Sequence, residues 1–374
     1  MTQAANLGAL GTNAGTTGIL ASTGGGTGTT AGVTGFKNRI INGAMVIDQR
    51  NAGASVTPGT NSYTVDRWIV NNAASSKLTA QQSSTAPTGF TNSLLVTSTS
   101  AYTPSSVEPF YISQRVEGFN FSDLAWGTAN AKTVTLSFWV RSSLTGTFGG
   151  SFQNSVTDYS YPHTYTISSA NTFEYKTVTI SPPTSGTWVG GTNGIGVRLY
   201  FSMGAGSTYQ GTAGSWSAND YRGATGETQV VATNGATFYI TGVQLEVGST
   251  ATSFDYRPYG TELQLCQRYY AKLGGTNTDA NAGIGAGLFN SAGTVARCYF
   301  SYPAPMRTKP TVSQSNAGLN DISSGYNVTS INTTWITTTS MMLDLGSSPS
   351  GTGFRPIIFT LAASNGYVDV SAEL

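Results

Sequence analysis

Charge is what this chain has least of. Only 9% of its 374 residues are Asp, Glu, Lys or Arg, against roughly 25% in ordinary globular proteins. The net charge is +1 and no basic cluster interrupts the even spread, so nothing attracts nucleic acid or an anionic membrane surface. A single histidine, His163, and two cysteines, Cys266 and Cys298, exclude a disulfide scaffold and any multi-histidine metal centre. Both cysteines sit among apolar and aromatic neighbours and read as buried free thiols, although the two could pair. No run approaches the roughly 20 apolar residues that a membrane-spanning helix needs. The first residues carry neither a basic stretch nor a continuous apolar core, so no secretory leader is expected. The reading is a soluble protein that leaves its cell by lysis or within an assembly.

Glycine, with 46 residues, threonine and serine take the place of charge, a composition suited to rigid β assemblies rather than helices. Residues 1–36 contain no charged side chain. With only Leu7, Leu10, Ile19, Leu20 and Val33 scattered among Gly, Thr and Ala, they cannot bury enough apolar area to order alone. They read as a linker, or as an extended attachment arm that orders on docking. The glycine run from Gly24 lacks the lysine of a phosphate loop.

From Lys37 the pattern changes to short alternating runs. Asn38–Gln49 reads as one or two strands about Gly43. Further strands are expected at Asp66–Val70, Ser93–Thr97, Tyr111–Val116, Val134–Arg141, Phe148–Gln153, Glu174–Ile180, Gly196–Met203 and Phe238–Val247. The alternation is plain in Val134, Leu136, Phe138 and Val140, and again in Val197, Leu199, Phe201 and Met203. Turn residues separate the runs and no long amphipathic helix intervenes. The expected fold is all-β: an antiparallel jelly-roll sandwich over residues 37–257. A helix over Glu262–Leu273 and a linker follow within 258–281, and a smaller C-terminal β domain fills 282–374. Its strands are expected at Gly285–Phe289, Val295–Tyr302, Pro310–Ser315, Asn327–Ile331, Ile336–Leu343, Ile357–Leu361 and Tyr367–Leu374.

Residues that could carry chemistry are few. Asp158 and His163, among tyrosines on an expected loop, form the best local acid–base cluster and still lack a third partner. No carboxylate pair suited to glycoside cleavage stands out, so catalysis is not expected. The charges at Asp48/Arg50, Asp66/Arg67, Asp255/Arg257 and Arg141 are read as ion pairs or hydrogen bonds to backbone. Recognition is the stronger theme. Gly204–Gly235 is a long insertion between two core strands, and such loops commonly hold binding sites. In it, Tyr209, Trp216 and Tyr221 could stack on sugar rings while Asp220 and Arg222 hydrogen-bond hydroxyls. The same aromatics would equally well close the end of the sandwich or fill a subunit interface. Trp335 and Tyr326 offer a competing surface in the C-terminal part, again with core packing as the other reading.

Several blocks, in this order, resemble bacteriophage and prophage tail fibre proteins: Asn38-Arg-Ile-Ile-Asn-Gly-Ala-Met45, Tyr63-Thr-Val-Asp-Arg-Trp68, Val116-Glu-Gly-Phe119 and Thr135-Leu-Ser-Phe-Trp-Val-Arg141. They continue with Gly235-Ala-Thr-Phe-Tyr-Ile-Thr-Gly-Val-Gln-Leu-Glu246, Arg257-Pro-Tyr-Gly260 and Cys266-Gln-Arg-Tyr-Tyr270. The likeness covers residues 38–273, and Pro303–Arg307 with Pro310–Val312 is similar to C-terminal modules of such fibres. It implies a carbohydrate-binding-module-like jelly roll on a virion appendage, often trimeric. Residues 1–36 would then join the tail or baseplate, and a host cell-surface polysaccharide would be the receptor. No cofactor is implied, though jelly rolls of this kind leave room for a structural calcium ion. A homotrimer would place Leu263, Leu265 and Tyr269 near the three-fold axis. Two alternatives remain beside it: a virion decoration protein without receptor binding, and a polysaccharide-degrading tail enzyme.

Overall fold

The computed structural model describes residues 37–274, 283–321, 323–361 and 366–374. The expected arm over residues 1–36 and positions 275–281 of the expected linker lie outside the described residues. Arg39–Leu374 is the larger of two compact units, and it is almost entirely β, as the alternation implies.

Two sheets face each other in a jelly-roll sandwich. One runs, edge to edge, Ser62–Tyr63, Ile69–Asn71, Pro109–Glu117, Ile195–Ala205, Gly146–Gln153 and Ser160–Ile167. The other runs Leu78–Ser83, Ser93–Ser98, Thr237–Val247, Val134–Ser142 and Glu174–Ile180. The alternating apolar residues of both meet between them: Leu136, Phe138, Val140, Phe148, Phe152, Leu199, Phe201, Phe238 and Ile240 are fully buried in one cluster. Phe138 touches Phe201 edge to face at 5.0 Å and Tyr165 at 4.9 Å, a geometry that aromatic pairs favour.

Several local expectations are corrected. Asn38–Gln49 contains no strand. Asn42 and Met45 hold left-handed φ values of 57° and 58°, and the buried Asn42 amide donates to the carbonyls of Ile47 and Asp66, so a side chain ties off a turn. Leu78–Ser83 and Ser160–Ile167 are strands that the sequence reading omitted. His163 therefore lies on a strand rather than a loop, pointing inward with Tyr161, Tyr165 and Ile167. Burial lowers its pKa to about 3, which keeps the imidazole neutral.

The helix is shorter than expected. It spans Tyr259–Gln267, and Tyr270–Gly274 is a strand instead. That strand joins a small sheet with Tyr367–Ser371 and Thr311–Ser315. The pairing of Tyr270 with Ser371 and Ala271 with Val370 takes backbone groups that a longer helix would have used. Beyond it, six strands close a barrel in the order Gly283–Phe289, Val295–Ser301, Ser340–Ser348, Gly325–Ile336, Ala317–Asn320 and Pro356–Leu361. Its core holds Phe289, Leu343, Leu345 and Phe359. Cys298 is buried there and Cys266 on the inner side of the helix, both unpaired; burial raises both thiol pKa values, that of Cys298 to about 12.

Two ion pairs to Glu373 join the sandwich to the last residues of the chain. The Arg67 side chain, 1% exposed, meets the Glu373 carboxylate. Its other terminal nitrogen donates to the Arg115 carbonyl at 2.7 Å, and its guanidinium lies 3.6 Å from the Tyr269 ring centre. Arg50 bridges Glu373 and Asp66. The reading of these charges as ion pairs or hydrogen bonds to backbone holds at both arginines: Arg67 pairs with Glu373 and donates to the Arg115 carbonyl, and Arg257 pairs with Glu262 and donates to the Ile40 carbonyl. Neutralising one member of a buried pair strands the other charge, at a cost of about 3–5 kcal/mol. Glu373→Gln is therefore expected to lose that much stability in urea unfolding followed by tryptophan fluorescence. A loss below about 1 kcal/mol, the scale of an exposed pair, would show that this contact does not hold the fold.

Candidate ligand-binding face

Each sheet of the sandwich has an outward face, and the two have different fates. The outer face of the six-stranded sheet is covered by the insertion Gly206–Gly235. There Asp220 and Arg222 pair with each other in fork geometry, at 3.0 and 2.8 Å, and Asp220 accepts from Gln153 at 2.6 Å. Arg222 lies 4.4 Å from the Tyr209 ring centre and 5.6 Å from that of Tyr111. The Tyr221 backbone N–H donates to Ser160, and an added Cβ at Gly211 would strike the Tyr221 ring at 2.2 Å. Trp216 stacks on Tyr159 at 5.4 Å and 5°, meets Trp126 and Trp188 edge-on, and donates to the Ser181 carbonyl at 2.8 Å. The five insertion residues expected to touch sugar are thus tied to one another or to the sandwich. Closure of the sandwich is what they are seen to do.

Glu227 is the buried anchor of that cover. Its carboxylate accepts from Ser202 and from the Ala224 backbone N–H. Gly149 and Gly223 leave it room, since a Cβ at either would come within 2.0–2.5 Å of its oxygens. Burial pushes its pKa up to about 7.

The outer face of the five-stranded sheet is different. Because Leu136, Phe138 and Val140 point inward, Trp139 and Arg141 must point out; the same logic turns out Tyr239 and Thr241. Register sets two rows across this face: Gln81, Leu95, Tyr239 and Arg141, then Thr241, Trp139 and Tyr175. The Trp139 and Tyr175 rings lie 5.4 Å apart, with Tyr175 43% exposed. Tyr239 and Phe173 make a second aromatic pair at 6.2 Å, and the Arg141 guanidinium lies 5.0 and 5.9 Å from their ring centres. Gly242, at φ 61°, sits in an irregularity of the strand; a Cβ there would come within 2.7 Å of Phe90 and 3.1 Å of Trp139. Phe90 continues the aromatic surface to Phe254 and the exposed Tyr256.

The result is an apolar, ring-bearing face edged by the hydroxyls of Thr177 and Thr179, both exposed. Such a face suits a ligand that alternates C–H surface with hydroxyl groups. The two residues of the expected acid–base cluster are held apart. Asp158 accepts from Asn154 at 2.6 Å within its own turn, while His163 points into the core. Among the described residues, no three His, Cys, Asp or Glu side chains gather as a metal site.

The other expected positions are also placed. Tyr269 is fully buried and donates to Glu117, so it offers no surface to a second copy, contrary to expectation. Leu263 and Leu265 are partly buried against Ile41, Ile47, Cys266 and Tyr269. Leu265 also lines a shallow groove of about 330 Å³ with Thr261, Gln264, Arg268 and Pro303–Pro305. Trp335 is 49% exposed on the barrel, under an Arg297 that Asp344 holds. Tyr326 is buried and donates to Asp321. Sequence reasoning passed over Trp139, Tyr175 and Tyr239, yet the inward alternation it used already named their neighbours as outward.

No protein-family profile matches the chain, and no curated protein does. Among solved structures it is similar to the enzymatically active domain of tailspike protein 4 of bacteriophage CBA120, with 12% identity and a TM-score of 0.28 over 56% of this chain and 21% of that one. It is also similar to a xylan-binding domain from Paenibacillus barcinonensis, with 10% identity and a TM-score of 0.24 over 54% and 99%. A family 11 carbohydrate-binding module of a Clostridium thermocellum cellulase gives 13% identity and 0.25 over 54% and 99%. Likenesses this slight carry no argument about ligand.

A pH effect follows from Glu227. Its folded-state pKa lies above the ordinary 4.5, so the folded chain holds this proton more tightly than the unfolded one. The associated stability is complete below about pH 4.5 and is lost as pH rises through about 7. Glu227→Gln is expected to flatten the fall in thermal midpoint between pH 5 and pH 8 (about two charge states of this one group). Parallel curves for the two proteins would remove Glu227 from the account.

Proposed function

We propose that the chain is a non-catalytic, glycan-binding structural subunit, and that its binding surface is the outer face of the five-stranded sheet. One observation carries this: Trp139, Tyr175 and Tyr239 stand outside the core on neighbouring strands of a sheet, with Tyr175 43% exposed and Trp139 and Tyr239 partly so. Large aromatic side chains held on strands keep their orientation without a ligand, so little ordering entropy opposes binding. The ordered blocks from Asn38 to Tyr270 that resemble phage tail fibres supply the setting. In that setting the chain is a tail fibre component of a virion, joined to the tail or baseplate through residues 1–36 and presenting this face to host cell-surface polysaccharide. Copies side by side, as a homotrimer with the Leu263 and Leu265 side of the helix between them, would add the avidity that single sugar sites lack.

The test is binding of the fluorescently labelled full chain to a panel of bacteria, with free surface polysaccharide as competitor. Saturable binding, displaced by the polysaccharide and lost in Trp139→Ala/Tyr175→Ala, is the expected result. Aromatic stacking contributes about 0.5–1.5 kcal/mol per ring pair, so a loss on the order of tenfold or more is expected for the double variant. Binding that survives this variant would move the site elsewhere, with the Trp335 surface next in line. A particle that carries the chain stably while the chain binds no cell would instead make it a decoration protein. Light scattering of the full chain tests assembly: Leu265→Asp should dissociate the oligomer, and an unchanged mass would take the helix out of the interface.

A further inference from the structure

Arginine in this chain is almost always satisfied from within. Eleven of its twelve arginines donate at least one hydrogen bond to a carboxylate or a carbonyl of the same chain. Arg141 is the exception: among the described residues it has neither a hydrogen bond nor an ion pair, and its Nε is buried without a partner. Its only contacts of note are the faces of Tyr239 and Phe173. The acids nearest along the sheet do not answer it. Glu174 is opposite Val140 and so lies on the other side of the sheet, held by Lys176 and the Ser168 and Ser169 backbone. Glu246 is opposite Thr135, six positions and about 20 Å along the strand, and is taken by Gln244 and Thr252.

A guanidinium in this state is costly to keep without a purpose. Burial of Nε removes water from one edge of the fork, while the aromatic walls fix the plane of the group. What remains is a cation with oriented donors and no internal acceptor. A carboxylate is the planar acceptor that fits it. Trp139 is two residues away on the same strand face, about 6.5–7 Å along the strand. That is a workable distance for a sugar ring on the indole to carry its own carboxylate to Arg141.

We propose that the glycan bound at this face is acidic, with a sugar carboxylate received by Arg141 and its ring resting on Trp139. The inference rests on the glycan-binding reading of the same face, and adds the class of sugar to it.

Isothermal titration of the full chain against polygalacturonate, alginate and polysialic acid, each beside its carboxyl-reduced form, tests it. At least one acidic polymer should bind about 10- to 100-fold more tightly than its reduced form, the range expected when a charge-assisted hydrogen bond is removed. Arg141→Gln should erase that gap, and a thermal midpoint close to that of the unaltered chain shows that the variant is folded. Trp139→Ala should weaken both forms together. Equal affinity for acidic and reduced forms, or a gap that persists in Arg141→Gln, overturns the acidic-sugar inference and leaves the glycan reading intact. Absence of binding to every polymer, together with absence of cell binding, overturns both.

Discussion

The Arg67 guanidinium is sealed inside the protein, and its charge has to be answered there. The answer comes from Glu373, 306 residues further along the chain. This one requirement organises the region where the sandwich, the helix and the last strand meet. Val65–Trp68 is a tight turn, with the Trp68 N–H donating to the Val65 carbonyl at 2.8 Å and Arg67 at φ 71°, so the backbone aims the side chain inward. Tyr269 lies against the guanidinium and in turn donates to Glu117, which also takes the fork of Arg268. Arg307 clamps the carbonyls of Ala372 and Glu373. A buried pair of this sort need not add net stability over an apolar substitute. What it does add is a fixed position for the residues after the last strand, because Glu373 must stay beside Arg67.

With that corner fixed, the outer faces of the sandwich divide the remaining work. The insertion closes one face, and its polar side chains answer one another: Asp220 answers Arg222, Gln153 answers Asp220, and Tyr200 donates to Gln153 at 3.0 Å. A network whose members satisfy each other has little left to offer a ligand. The opposite face inverts this. Thr241 is buried with an unpartnered hydroxyl, Trp139 and Tyr175 remain partly in solvent, and Arg141 lacks an acceptor. Unspent hydrogen-bonding capacity beside exposed rings is a better mark of a binding surface than aromatic content alone, by which the insertion looked the richer of the two.

The same contrast explains what could be read from residues and what could not. Inward alternation announced the core strands, since burying Leu136, Phe138 and Val140 on one side leaves no choice of register. Two of the strands that escaped notice lie at the edges of the sandwich sheets. Leu78–Ser83 reads Leu-Thr-Ala-Gln-Gln-Ser, with too little apolar contrast to stand out, and Ser160–Ile167 carries Pro162, which an edge strand tolerates because one side of it needs no donor. The end of the helix was hidden for another reason. Leu263 to Tyr270 has plausible helical spacing, and only the distant partner strand Tyr367–Ser371 pulls Tyr270 onward into a sheet. Charge pairing was only partly legible, because Arg67 reaches a carboxylate, Glu373, that chain folding brings to it from the far end of the sequence. Trp216 and Trp139 are alike on paper. Only the fold shows that one is wedged among four other aromatic residues and the other stands outward on a strand.

An open, flat face also constrains how tightly it can hold a sugar. Deep pockets enclose most of a small ligand, but a sheet surface touches one side of a chain and leaves the other hydrated. A few ring contacts and one charge-assisted fork give a weak single site, and its charged part weakens further with salt because Arg141 is only partly buried. Weak sites become useful when they are repeated. If the first contact raises the local concentration of the next, avidity can exceed the single-site affinity by about 10²–10⁴ without any new contact. In the proposed setting both sides would benefit from repetition: a polysaccharide offers identical sugars along its length, and an appendage would offer identical faces around its axis. A rigid, charge-poor β scaffold suits that arrangement, because copies can stand close without mutual repulsion while each presents one unneutralised arginine outward.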